Sequence, residues 1–264
     1  MHLDVRVQTA PALTIMGAMT NPYAPPGHGD GGYLPPPAAG ALGPPQPWQV
    51  GEVCRIGWEV VKREPMLIVA QLIVLFVPNT LSSISGIAEA AGILEAGSTP
   101  MLVLQLVFTF VSAFLAFFLQ VGMLRMLLAA VREQPVPLSL LFSGTDRLLP
   151  MFGAMLLSGL AIGVGTVLLV VPGIIAYLGL WLAKFYVVDR QQGAIESLQS
   201  SWRDTNGNRL DLFVFSCVYF ALVLAGFCLC FVGILVALPV AEVALTVIYL
   251  RRTGQAPQPL RTGY

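Results

Sequence analysis

The sequence predicts an all-α integral membrane protein of six transmembrane helices, with cytoplasmic interfacial helices before span 1 and between spans 4 and 5. Three observations carry this. Of 264 residues, 56% are hydrophobic and 11% charged, less than half the roughly 25% charged of a soluble domain, and mean hydropathy is +0.78. The apolar runs are continuous, unlike the roughly ten-residue alternating segments of a membrane barrel. The basic residues also segregate completely between the loops on the two sides. The 14 Lys and Arg balance 14 Asp and Glu, so no basic excess points to nucleic acid. The partners expected are the lipid bilayer, a protein partner or a second copy of the chain.

The predicted organisation is a Pro/Gly-rich cytoplasmic tail over 1–47, a six-helix membrane domain over 48–252 and a short cytoplasmic tail over 253–264. From Asn21 to Pro47 the chain reads NPYAPPGHGDGGYLPPPAAGALGPPQP. Such a composition buries too little apolar surface to offset its ordering entropy, which predicts a disordered spacer. It has no signal-peptide apolar region, and both Met1 and Met19 are candidate starts. Both histidines, His2 and His28, fall in this tail, which removes a His-dependent active site from the membrane domain.

Trp48 to Glu64 places Val50, Val53, Ile56 or Gly57, Val60 and Val61 on one helical face, with Arg55, Lys62 and Arg63 elsewhere. This is the pattern of a helix lying at a membrane surface, and Pro65 marks the corner into the first span. That span runs from Met66 to about Ser83, just long enough for a ~30 Å hydrocarbon core. A loop over 85–100 follows, then a long second span from Met101 to about Leu128 and a polar loop over 131–147. Leu148–Val188 and Leu210–Leu250 are each about twice the core thickness at ~1.5 Å per residue, so each is a pair of spans. Pro172 and Gly173 place the turn in the first pair. In the second the turn falls near Cys228–Gly233, and Pro239 kinks the last span.

Charge tests this threading. The loops at 85–100, around 172 and around 230 hold no Lys or Arg, and all 14 basic residues fall on the other side. Under the positive-inside rule both termini are cytoplasmic, and the location expected is the bacterial cytoplasmic (inner) membrane.

The candidate functional group is an intramembrane polar cluster. Glu242 sits nine residues before Arg251, ~13 Å deeper along a helix. A carboxylate at that depth costs about 2.5–3.5 kcal/mol on insertion scales and takes a partner inside the bundle. Lys184, Arg125 and Gln120 lie in the same half of the membrane and complete the proposed cluster. One reading makes it a cytoplasm-facing pocket or ion path; the other makes it an ion pair joining helices. Between spans 4 and 5, Ile195, Leu198 and Trp202 line one face of the 191–204 helix, which predicts docking on the membrane surface. Ser158–Gly163 supplies a small-residue face for close helix packing. Cys54, Cys217, Cys228 and Cys230 have no metal spacing and are expected to pack as small hydrophobes. No cofactor is expected.

From Gly144 to Arg252 the chain resembles a bacterial multi-pass membrane family, the membrane domain of some glycerophosphoryl diester phosphodiesterases and its stand-alone relatives of unknown function. The resembling segments are SLLFSGTDRLLPMF, GTVLLVVPGIIAYLGLWLAKFYVVD, GAIESLQSSWRDTNGNR and VGILVALPVAEVALTVIYLRR. The resemblance implies the membrane architecture. It does not bring the activity, because the soluble catalytic domain is absent here. The expectation is therefore a non-enzymatic membrane scaffold or envelope component, against a small transporter or lipid-handling protein built on the Glu242 cluster.

Overall fold

The computed structural model describes residues 43–92, 97–228 and 232–255. All regular structure among them is helical. The tail over 1–42, with both histidines and Met19, lies outside the described residues, as do Cys230 and Arg261. Residues 43–47, placed in the spacer by composition, run instead against the end of the last helix. There Gly43 N donates to Gly254 O and Gln46 N to Arg251 O, both at 3.0 Å.

Helix α1 (Val50–Arg63) buries Val53, Gly57, Val60 and Val61, the one-sided stripe that a 3.6-residue period produces. It lays this stripe on α10 (Val232–Arg252). Glycine is needed at 57 because a Cβ there would lie 2.5 Å from Val240 O. The chain turns at Pro65, and α2 (Met66–Ser82) leaves at 94° to α1. The segment expected as a loop over 85–100 contains a short helix, α3 (Ile84–Ala90); its glycine and glutamate mask the i, i+3 spacing of Ile84 and Ile87.

Helix α4 (Thr99–Val131) has 33 residues, ~50 Å against a ~30 Å hydrocarbon core. Ser98 caps it, its hydroxyl accepting from Met101 N at 3.4 Å. Its first half turns Leu102, Leu106, Phe110 and Phe114 outward, whereas Val121–Val131 is almost wholly covered by protein, with only Arg125 half-buried. The same asymmetry holds elsewhere. The core is concentrated at one end of the bundle, where the last turns of α4 meet α7 (Ala183–Asp189) and the second half of α10. A 3₁₀ turn at Leu138–Phe142 seals this end by running over α4 at Gly122. A Cβ at Gly122 would collide with the backbone carbonyl of Leu141. Gly122→Ala is therefore expected to lower stability by about 1–3 kcal/mol through overpacking, read as an earlier thermal transition of the detergent-solubilised protein.

The first apolar pair is α5 (Leu148–Leu168) and α6 (Val170–Leu180). Its turn is not at Pro172 and Gly173. The break falls at Leu169, which is extended (φ −163°, ψ 144°). Pro172 sits in the first turn of α6, where a missing N–H costs nothing because those donors have no intrahelical acceptor. Gly173 serves packing instead: its bare Cα faces Thr166, and Gly165 lies within 3.1 Å of Gly173 Cα, measured from an added Cβ. The second hairpin, α9 (Arg209–Cys228) with α10, repeats the device, with Gly226 against Gly233 at 2.9 Å on the same measure. Between the hairpins lies α8 (Ala194–Thr205).

Five helical stretches are long and apolar enough to cross a membrane: Thr99–Val131, Leu138–Leu168, Val170–Asp189, Arg209–Cys228 and Gly233–Arg252. The count is of the described residues, and it rises to six where the bent pair of α1 and α2 is taken as one span. Two cysteines differ from expectation: Cys217 and Cys228 lie exposed on α9 rather than packed, while Cys54 is partly covered. A thiol is apolar enough to face lipid.

Candidate functional site

Lys184 and Glu242, 58 residues apart in sequence, form an ion pair with Lys184 Nζ donating to Glu242 Oε2 at 2.8 Å. Each side chain is 15% exposed. Tyr219 of α9 donates its hydroxyl to the other carboxylate oxygen at 3.1 Å. The pair thus ties α7, α9 and α10 together. Trp181 packs beside it, with ring centroids 5.1 Å from Tyr177, 5.7 Å from Phe215 and 5.6 Å from Tyr219. Lys184 also lies 5.3 Å from the centroid of Phe185, near its face, a cation–π contact.

The local backbone explains why Lys184 is available. The fourth apolar stretch is broken between α6 and α7 at Trp181–Leu182, and Lys184 is in the first turn after the break. Breaking a helix orphans carbonyls on its last turn. Here Gly179 O accepts from Ser201 Oγ at 2.7 Å and Thr205 Oγ1 at 3.3 Å. The hydroxyls of α8 therefore cap α6.

Arg125 does not join Glu242. It donates to the backbone carbonyl and, at 3.1 Å, the hydroxyl of Ser143, and to Asp146 Oδ1 at 2.6 Å. The reason is direction: its side chain leaves α4 toward the 3₁₀ turns over 138–147, not toward α10. Gln120 is half-buried on α4 and makes no hydrogen bond among the described residues. The four-residue cluster expected from depth alone is thus a Lys184–Glu242–Tyr219 triad and a separate Arg125–Asp146 pair.

On α8 the buried face is Ser197, Ser201 and Thr205, not the apolar one. Ile195 is exposed, Leu198 half-buried, and Trp202 partly exposed with its ring edge against Gly179, where any Cβ would collide. The small hydroxyl side chains win the interior because they satisfy orphaned carbonyls and allow close approach. The apolar face is left at the surface.

A second polar centre was not anticipated. Asp189 is fully buried, at 0% side-chain exposure, and accepts from Arg132 at 2.6 Å, Tyr249 at 2.8 Å and Gln255 at 3.1 Å. Arg132 also donates to Gln255 Oε1 at 2.6 Å. Helix endings build this centre. Helix α10 closes with Gly254 at φ +68° and Gln255 N donating to Leu250 O at 2.8 Å, the left-handed cap that reverses the chain, and this aims Gln255 back at Asp189. Helix α4 ends likewise, with Glu133 at φ 57° and Gln134 N on Ala129 O at 2.9 Å. One signal was in the sequence: an aspartate ending the apolar run Tyr186-Val-Val-Asp189.

At the rim, Arg251 grips Glu52 of α1 with two hydrogen bonds of 2.5 and 2.8 Å. These bonds hold Glu52 below the usual carboxylate range. A depressed folded-state value stabilises above the unfolded pKa and is lost as pH falls through the folded one. Wild type and Glu52→Gln are therefore expected to differ in thermal stability at neutral pH and to converge in acid, checked by melting both across a pH series.

Among the described residues no group of three or more His, Cys, Asp or Glu could hold a metal ion. Residues 148–256 match a family described as a domain of unknown function (DUF7847). No curated protein and no solved structure matches the chain. The matched segment contains Lys184, Tyr219 and Glu242, so the triad lies wholly within it. It also holds Asp189, Tyr249 and Gln255, whereas Arg132 comes from α4 outside it.

Proposed function

We propose that this is a multi-pass protein of a bacterial cytoplasmic membrane, with six spans and with both termini, α1 and α8 on the cytoplasmic side. It acts as a non-enzymatic scaffold or envelope component. One observation carries this reading: ionisable groups at the packed end are engaged with each other. Lys184 holds Glu242, Arg132 holds Asp189, Arg251 holds Glu52, Arg63 holds Glu133 at 2.9 Å, and Arg125 holds Asp146. All but the Arg125–Asp146 pair join residues at least 57 apart in sequence, so the charges fix helix positions. The resemblance to the membrane domain of glycerophosphoryl diester phosphodiesterases that we read in Gly144–Arg252 belongs to the same proposal, a membrane part that works beside soluble chemistry rather than performing it.

A second reading, a small transporter or lipid-handling protein using Glu242, is favoured by one feature. A groove of about 330 Å³ between α5 and α6–α7, lined by Met151, Met155, Ser158, Tyr177 and Trp181, reaches Lys184. Reconstitution separates the two. Vesicles carrying the full chain are expected to be as tight to protons, and as slow to exchange fluorescent lipid between leaflets, as protein-free vesicles. A leak or lipid exchange abolished by Glu242→Gln overturns the scaffold reading in favour of the second. Threading is checked separately in a cysteine-free background: Gly86→Cys should react with an impermeant maleimide in intact cells, and Gln199→Cys only after lysis.

A further inference from the structure

A second groove, of about 660 Å³, lies where α8 crosses the α5–α6 hairpin. Its floor is apolar, made by Ala161, Ala176, Leu180 and Leu198, and its rim carries Gln199, Arg203 and Asn206 beside the ring of Trp202. We infer that this groove holds one anionic phospholipid, with an acyl chain along the Ala161–Ala176 floor and the phosphate on Arg203 and the neighbouring amides.

Charge complementarity commits the occupant. The lining includes a cation and two amide side chains and no carboxylate. Of the two acids of α8, Asp204 is turned away, accepting the hydroxyl of Tyr186, and Glu196, one turn before Gln199, is not a lining residue. A second cation reinforces the rim. Arg209 stacks on the face of Trp202, its guanidinium carbon 4.1 Å from the ring centroid, and its Nε is buried with no acceptor among the described residues. Arg209 is not itself a lining residue, and its charge adds to the rim through its place on the ring of Trp202. An arginine presents a planar fork suited to phosphate, and the apolar floor excludes a small soluble anion as the full occupant. Trp202, which lines the groove and carries Arg209 on its face, gives the amphipathic ring typical of headgroup level. In a bilayer, a groove with this floor and this rim is filled by the molecule that has both halves.

The inference rests on reading α8 as interfacial, and its test is independent of that reading. Delipidated full-length protein in detergent is titrated with dioleoyl phosphatidylglycerol or dioleoyl phosphatidylcholine, and retained lipid is counted by native mass spectrometry. One phosphatidylglycerol is expected to be held about fivefold more strongly than phosphatidylcholine for each cation engaged. Arg203→Gln should lower the preference for phosphatidylglycerol about fivefold, and Arg203→Gln combined with Arg209→Gln should bring phosphatidylglycerol down to the phosphatidylcholine level. Ala161→Trp, which fills the floor at an exposed position without altering charge, should lower both. Equal retention of the two lipids by wild type overturns the proposal, and so does an Arg203→Gln protein that keeps the full wild-type preference for phosphatidylglycerol. Orientation plays no part in detergent, so such a failure removes the lipid site and leaves the threading intact; wrong-side labelling in cells removes the threading alone.

Discussion

Replacing Asp189 by alanine is expected to open the packed end of the bundle, at about 3–5 kcal/mol. The carboxylate is fully buried and takes hydrogen bonds from α4, α10 and the turn after α10. Removing it strips Arg132, itself only 10% exposed, of a buried counter-charge, and also takes the acceptor from the hydroxyl of Tyr249. That hydroxyl belongs to the aromatic stack of the core, with Phe185 at 5.1 Å and Tyr186 at 5.1 Å. Asp189→Asn keeps the shape and loses the charge, so it should fall between wild type and alanine. The measurement is the thermal transition of the solubilised protein, followed by size-exclusion for aggregation. An Asp189→Ala protein melting with wild type would show that the centre is incidental to stability.

Glu242→Ala is expected to cost nearly as much, about 3 kcal/mol, because Lys184 then loses its counter-charge in a poorly solvated position. The informative comparison is the rescue. Combining Glu242→Leu with Lys184→Met removes both charges at similar volume and should bring stability back to within about 1 kcal/mol of wild type, since apolar replacement of a whole buried pair is often neutral. The hydroxyl of Tyr219, which donates to Glu242, loses its acceptor in both proteins, so Tyr219→Phe in the doubly substituted background isolates its share. Failure of the double replacement to restore stability would mean that the pair does more than hold helices.

Much of this architecture was legible because hydropathy and glycine or proline punctuation are local properties. The corner at Pro65, the helix over Val50–Arg63 and the limits of α9 follow from them. Three features were not legible. The hairpin turn sits at Leu169 rather than at Pro172, because proline in a helix's first turn starts a helix as readily as it stops one. The break at Trp181–Leu182 lies inside an apolar run with the same hydropathy on both sides, and its compensation comes from Ser201 and Thr205, 22 and 26 residues beyond the Gly179 carbonyl that they cap. Depth along a helix placed Lys184 and Glu242 at a common level, but depth carries no azimuth, so it also put Arg125 in a group from which its side chain points away. Asp189 was hidden for the same reason: Arg132, Tyr249 and Gln255 meet it only through helix endings that no periodicity announces.

The uneven distribution of packing gives the protein a mechanical character. Its interlocked end is rigid, braced by ion pairs and capped turns, whereas the far halves of α4, α6 and α9 turn Phe110, Val171 and Phe220 outward. A bilayer thicker or thinner than the apolar span imposes strain of fractions of a kcal/mol per ångström. That strain falls on the loosely supported blades and their glycine-paired tips, which tilt, and not on the base. Under the proposed membrane threading, the braced end is expected to keep its shape as the surrounding lipid changes length, like a fixed mounting plate in a membrane of varying thickness.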